Sequence, residues 1–222
     1  MKTSLPSSVL RLIKEMQENV PKNSKELAGI LQNHSVIREE ILPFHTFNHS
    51  AKESYGRREL IRNETFCIYL MSWCPGDFTA IHDHGTTQWG CVLALDDFTH
   101  RLYQLSEDKL ELKDNRPFLK GQTAAVYNNV IHMMGNAGKN NALSIHIYGT
   151  SDSQQQVARD TRIFYPELGQ MTYTQGAAYR LHPENMPERL YDFPGLDSAA
   201  LEDYFNLTEH HRQGVSTFKT LH

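Results

Sequence analysis

From Phe66 to Tyr148 the chain reads as short runs rich in β-branched and aromatic residues, separated by turn chemistry, and no other feature constrains the fold as much. The run Phe66-Cys67-Ile68-Tyr69-Leu70-Met71-Ser72-Trp73 is stopped by Pro75-Gly76-Asp77. Further strands are expected over 79–81, 89–95, 99–105, 110–112, 123–127 and 142–148. Many short strands with turns between them indicate an all-β sandwich or barrel.

The flanks differ. Ser7-Ser8 can cap a helix whose Val9, Leu10, Ile13 and Met16 follow a 3.6-residue spacing, and Ser24 precedes a second helix with Leu27, Ile30 and Leu31. A third is expected from Ser35 toward Leu42, with Pro43 ending it. Beyond Gly149, Ile163-Phe164-Tyr165 and Met171-Thr172-Tyr173 frame a hairpin at Leu168-Gly169. Pro183, Pro187 and Pro194 then break the chain before a helix over 197–205 that Asp197 or Ser198 caps. The expectation is one domain over 1–222: a helical cover (1–50), a β-barrel core (51–175) and a C-terminal extension (176–222) that wraps the barrel, forms a lid or contacts a second copy.

Two linked patterns carry chemistry into this core: Gly76-x5-His82-x-His84, and Gly121-x5-Tyr127-x-Asn129-x2-His132-x3-Asn136. Alternate residues of a strand point the same way, so His82 and His84 can share one metal while Asp83 points elsewhere. His132 brings a third imidazole. A lone histidine is more often structural, but three inside glycine-bounded patterns form a ligand set, one that suits iron, zinc, copper and nickel alike. His34, His45, His49, His100, His210 and His211 lack such partners in the sequence and read as surface residues.

Ser144, His146 and Tyr148 also alternate, so they share one side of a strand. A hydroxyl, an imidazole and a phenol in a row can form a hydrogen-bonded chain that fixes the histidine tautomer and aims the tyrosine hydroxyl.

The net charge of −4 provides no basic field for nucleic acid or an anionic membrane, and a small-molecule partner is expected. No window approaches the ~20 apolar residues of a membrane span. Cys67, Cys74 and Cys91 form neither an even set nor a Cys-x-x-Cys pair, which points to a reducing compartment and cytoplasmic location. The sequence leaves a monomer or a weak homodimer equally open.

The two histidine patterns resemble the signature of the cupin superfamily, jelly-roll β-sandwiches or barrels, matching at Gly76, His82, His84, Gly121, His132 and Asn136. The usual glutamate ligand four or five places after the second histidine is missing, because Gln88 and Trp89 stand there. Three imidazoles without an anion leave the ion's charge uncompensated and favour a thiolate ligand. Among cupins this resembles the thiol dioxygenases, and three further stretches are similar to cysteine dioxygenase: Tyr55-Gly56-Arg57, Ile81-His82-Asp83-His84 and Ser144-Ile145-His146-Ile147-Tyr148.

The resemblance implies Fe(II) held by His82, His84 and His132, with O2 and a small thiol as partners, L-cysteine first. It also implies that Tyr148, set by His146 and Ser144, lies beside the reacting sulfur and oxygen. Arg57 would grip the substrate carboxylate bidentately, with Tyr55 adding a hydroxyl contact. A solvated basic face with Arg58 and Arg62 is the plainer reading of Arg57, and Arg159 and Arg162 compete for the role, as in the related mercaptopropionate dioxygenases. A mercaptopropionate-type substrate and a non-catalytic ligand-binding cupin remain the alternatives. Animal cysteine dioxygenases carry, after the His-x-His pair, a cysteine that bonds to the tyrosine. Aligning the strand by its downstream end puts Gly90 there and turns Cys91 to the opposite face.

Overall fold

The structure is a computed structural model that describes residues 4–106, 109–151, 157–193 and 195–218. Three helical segments lead: α1 (Ser7–Glu18), α2 (Ser24–Asn33) and α3 (Arg38–Ile41), the last running into a 3-10 turn at Leu42–Phe44. Twelve strands follow: β1 (Gly56–Arg62), β2 (Phe66–Trp73), β3 (Ile81–His82), β4 (Trp89–Ala94), β5 (Thr99–Ser106), β6 (Lys109–Asp114), β7 (Thr123–Val126), β8 (Ile131–Gly135), β9 (Ala142–Gly149), β10 (Thr161–Tyr165), β11 (Gln170–Thr174) and β12 (Tyr191–Asp192). A final helix, α4, spans Ser198–Phe218.

The strands form two antiparallel sheets, one of order β1-β2-β9-β4-β7 and one of order β12-β11-β10-β3-β8-β5-β6. This is the all-β jelly-roll core that the sequence predicts, with a helical cover in front and an extension behind.

The five-stranded sheet has no wet face in its centre. Phe66, Ile68 and Leu70 of β2, Trp89, Cys91 and Leu93 of β4, and Leu143, Ile145 and Ile147 of β9 meet Val9, Leu12, Met16, Leu27 and Leu31 of the helices. The alternate residues Cys67, Tyr69, Met71 and Trp73 of β2 pack inward with Val92 and Tyr148 toward the second sheet. Every residue of β2, β4 and β9 is therefore buried, which explains why β2 reads as a continuous apolar run.

Local chemistry at the helix ends departs from expectation at α2 and follows it at α4. Asn23 rather than Ser24 caps α2, its side chain accepting from the Glu26 amide at 2.9 Å. Ser24 is instead committed to the sheet: its hydroxyl donates to the Val126 carbonyl at 2.8 Å and accepts from the Gly90 amide at 3.1 Å. At the other end Asp197 caps α4, accepting from the Ala200 amide at 2.8 Å.

The extension wraps. Its 176–193 stretch is pinned where the Ala178 carbonyl accepts from the Ala80 amide, the Arg180 amide donates to Ser54 Oγ and the Asn185 amide group donates to the Lys52 carbonyl. Ala200 and Tyr204 of α4 then bury against Tyr103, Leu110, Ile131 and Phe164 on the outer side of the seven-stranded sheet.

Candidate metal and substrate site

The two sheets divide the candidate residues between them. His82 ends β3 and His132 lies directly opposite it on β8, while His84 follows β3 by two residues. Their ring centroids are 4.6 to 5.1 Å apart, and all three are buried. The turn glycine and the asparagine of the two motifs are tied together: the Gly76 amide donates to the Asn136 carbonyl at 2.8 Å, which fixes β3 against β8 from one end.

Proton positions on the imidazoles follow from their outer partners. His82 Nδ1 lies 2.9 Å from the Ala80 carbonyl and His84 Nδ1 lies 3.1 Å from that of Val130, and a carbonyl can only accept. Both Nδ1 atoms therefore carry the proton, leaving the Nε2 lone pairs to face inward. His84 Nε2 is buried without a partner, and the Nε2 atoms of His82 and His132 stand 3.2 Å apart. Two such lone pairs beside a third imidazole nitrogen form a donor set that a cation can bind. Burial holds the three rings neutral, lowering His82 to about 4 and pushing His84 and His132 well below the ordinary value. A metal fits this donor set.

His100 completes the cluster, and the sequence spacing gives no sign of it. Its Nε2 lies 2.9 Å from His132 Nδ1, so it orients the third imidazole as outer partners of metal-binding histidines commonly do. The expectation of unpartnered surface histidines is corrected for His100 and for His49, which pairs with Asp77 at 2.9 Å. His45 is exposed, His34 is half-buried, and the side chains of His210 and His211 lie outside the described residues. Alternation along one strand cannot reveal a partner on another.

Across the gap, β9 presents Ser144, His146 and Tyr148. Ser144 Oγ lies 2.9 Å from His146 Nε2, and His146 Nδ1 lies 2.9 Å from the Tyr148 hydroxyl. Trp73 Nε1 donates to Ser144 Oγ at 2.9 Å, a fourth member that the sequence did not reveal. Burial pushes the Tyr148 phenol up and His146 down to about 3, so both are neutral at physiological pH. The Tyr148 ring centroid is 5.8 Å from that of His84.

Arg57 lies half-buried on β1, its guanidinium 3.8 Å above the Tyr69 ring and its Nε buried without a partner. Its charge acts on both Tyr148 and His146. A bulge between Glu59 and Ile61 shifts the alternation of β1, so Arg62 joins the same side and donates to the Tyr69 hydroxyl. The competing arginines are placed otherwise: Arg162 pairs with Asp83, and Arg159 is exposed beside Asp160. Tyr55, expected to contact the substrate, has its buried hydroxyl accepting from the Ala178 amide at 3.0 Å while its ring stacks on Trp73. Gln88 is exposed and Trp89 packs outward, so neither replaces the missing carboxylate.

An antiparallel two-sheet sandwich with three convergent imidazoles between its layers is a cupin whose histidine triad can hold a metal. The model of the family "Cysteine dioxygenase type I" matches residues 1–158. This chain belongs to that family, which makes it a dioxygenase by class. Similar solved structures include a protein from Thermus thermophilus, 16% identical over 49% of this chain and 92% of its own (TM-score 0.40). They also include a cupin-superfamily sugar phosphate isomerase from Silicibacter pomeroyi, 13% identical over 63% and 83% (TM-score 0.40). An RmlC-like cupin with a double-stranded β-helix fold from Methanocaldococcus jannaschii is 11% identical over 46% and 84% (TM-score 0.35).

Proposed function

We propose that this protein is a mononuclear non-heme iron thiol dioxygenase whose substrate is L-cysteine, oxidised with O2 to the sulfinic acid. One observation carries the reading: a buried, unpartnered arginine nitrogen and a phenol stand on the sheet facing three convergent imidazoles. His82, His84 and His132 would hold Fe(II), which supplies charge to keep the substrate sulfur deprotonated and redox chemistry to use O2.

The protein's own groups do the rest. Arg57 binds the substrate carboxylate through two parallel N–H bonds, and the Tyr69 ring beneath keeps the guanidinium in place. Trp73 is a donor only, so Ser144 Oγ accepts its proton and turns its own toward His146 Nε2. His146 then donates from Nδ1 to the Tyr148 oxygen, and the Tyr148 proton is left to point into the site, where it can stabilise developing negative charge on oxygen. The engagement of Arg162 by Asp83 and the exposure of Arg159 support Arg57 as the clamp. We place the enzyme in the cytoplasm on its three free cysteines; among the described residues no helix is long and apolar enough to cross a membrane.

The test is oxygen consumption by iron-loaded protein across a thiol panel, with products identified by mass. Cysteine should be consumed with one O2 per thiol, and cysteamine, which lacks the carboxylate, should be poor. Arg57→Ala should cost roughly 10²-fold in kcat/KM for cysteine and much less for cysteamine. Faster turnover of mercaptopropionate would overturn the substrate assignment, and no uptake with any thiol would leave a ligand-binding cupin.

A further inference from the structure

The turn after β2 gathers a second set of metal-ligating side chains, apart from the histidine triad. In Cys74-Pro75-Gly76-Asp77 the Asp77 amide donates to the Cys74 carbonyl at 3.0 Å and Gly76 takes φ +95°. Proline second and a positive-φ glycine third are the requirements of a type II turn. Such a turn folds its first and fourth residues together, and Asp77 Oδ2 accepts from the Cys74 amide at 2.5 Å. His49 arrives from the loop before β1 with Nε2 2.9 Å from the same oxygen and Nδ1 3.2 Å from the Ser50 carbonyl.

Cys74 Sγ, a His49 ring nitrogen and an Asp77 oxygen all lie within 4.8 Å of one another. The Ser50 carbonyl requires a proton on His49 Nδ1, so Nε2 can face a carboxylate only if it carries a second proton or shares a cation with it. A proton is the smallest cation that can meet this demand.

We propose that Cys74, His49 and Asp77 form a second metal site, selective for a borderline-soft divalent cation such as zinc, with water as the fourth ligand. Thiolate and carboxylate together neutralise a divalent charge, unlike the all-imidazole triad, so the two sites should prefer different ions. The fit is close. Tetrahedral bonds of about 2.0–2.3 Å place ligand atoms about 3.3–3.7 Å apart, so His49 Nε2 and Asp77 Oδ2 need part by only about half an ångström. The His49 and Asp77 side chains are 10% and 14% exposed, which leaves an approach for metal and water. Ser50 fixes the imidazole from outside, as at other metal centres.

Cobalt(II) titration of the full-length protein, without added thiol, tests the site independently of any turnover. A near-ultraviolet thiolate-to-cobalt absorption needs a sulfur ligand, and the histidine triad has none; Cys67 and Cys91 are fully buried. Wild-type protein should take up two equivalents and show the band, and zinc should abolish it. Cys74→Ser should retain one equivalent, which also reports an intact fold, and lose the band. His132→Ala should retain the band with one equivalent, and His49→Gln should weaken it at least tenfold in affinity. Acid should weaken the band, because protons compete for the same atoms. A single equivalent without a band in wild-type protein overturns the site, as does a band that survives Cys74→Ser or is unchanged by His49→Gln.

Discussion

Trp73 has one polar atom, which can only donate, and this makes it the residue that orders the protons of its neighbours. Reversing the Ser144–His146–Tyr148 chain would leave the fully buried Ser144 hydroxyl proton with no acceptor in the trio. Trp73→Phe keeps the ring and its stacking on Tyr55 but removes that donor. We expect kcat to fall about tenfold with KM little changed, and the iron content to stay at the wild-type level. Tyr148→Phe removes the final hydroxyl and should lower kcat by about 10²–10³-fold, again with iron retained. Loss of iron in either variant would show that these residues hold the metal site together rather than serve the reaction.

The strands explain what the sequence made legible and what it hid. His82, His84 and the Ser144, His146, Tyr148 trio were readable because period two assigns a face within one strand. Trp73 and His100 were not, because each meets its partner across strands, 71 and 32 residues away in sequence. β1 escaped notice because Arg57, Arg58, Glu59 and Arg62 mask its apolar residues and its bulge breaks the alternation. β8, five residues long, is legible in the sequence only as a motif. The third helix proved shorter than expected, and Pro43 sits inside the 3-10 turn near its start, where its missing N–H costs nothing. On β4, Gly90 pairs with Tyr148 on β9, while Cys91 lies on the outer side with its sulfur 3.4 Å from the Ser24 carbonyl. Peptide mass mapping should therefore find no thioether between Cys91 and Tyr148, and Cys91→Ser should leave kcat/KM within about twofold. Gly90→Ala is the damaging change. Its methyl would stand 2.5 Å from the Ile147 carbonyl and 3.2 Å from Tyr148 Cδ1, so it should cost about 1–3 kcal/mol in denaturant unfolding and displace the phenol. Wild-type stability and turnover in Gly90→Ala would refute the register of these two strands.

The molecule as a whole carries a set of imidazoles buried neutral. Burial lowers His82 and His100 from 6.5 to about 4 and His146 from 6.5 to about 3. Between those values and 6.5 the unfolded chain binds more protons than the folded one, so stability is complete above 6.5 and falls as the pH drops through that window. His49, raised to about 10, acts oppositely but only above 6.5, where its contribution declines as the pH rises. Metal-free protein should thus unfold at lower urea concentration at about pH 5 than at about pH 7, and a flat profile would contradict the burial of these rings. Their placement has a further consequence. The ligands belong to one sheet and the phenol to the other, with Phe98, Phe118 and Met134 among the residues that separate the layers. The thickness of the sandwich therefore sets how far the phenol stands from the imidazoles: trimming or enlarging a spacer such as Met134 should retune that distance while every side chain of both sets stays as it is.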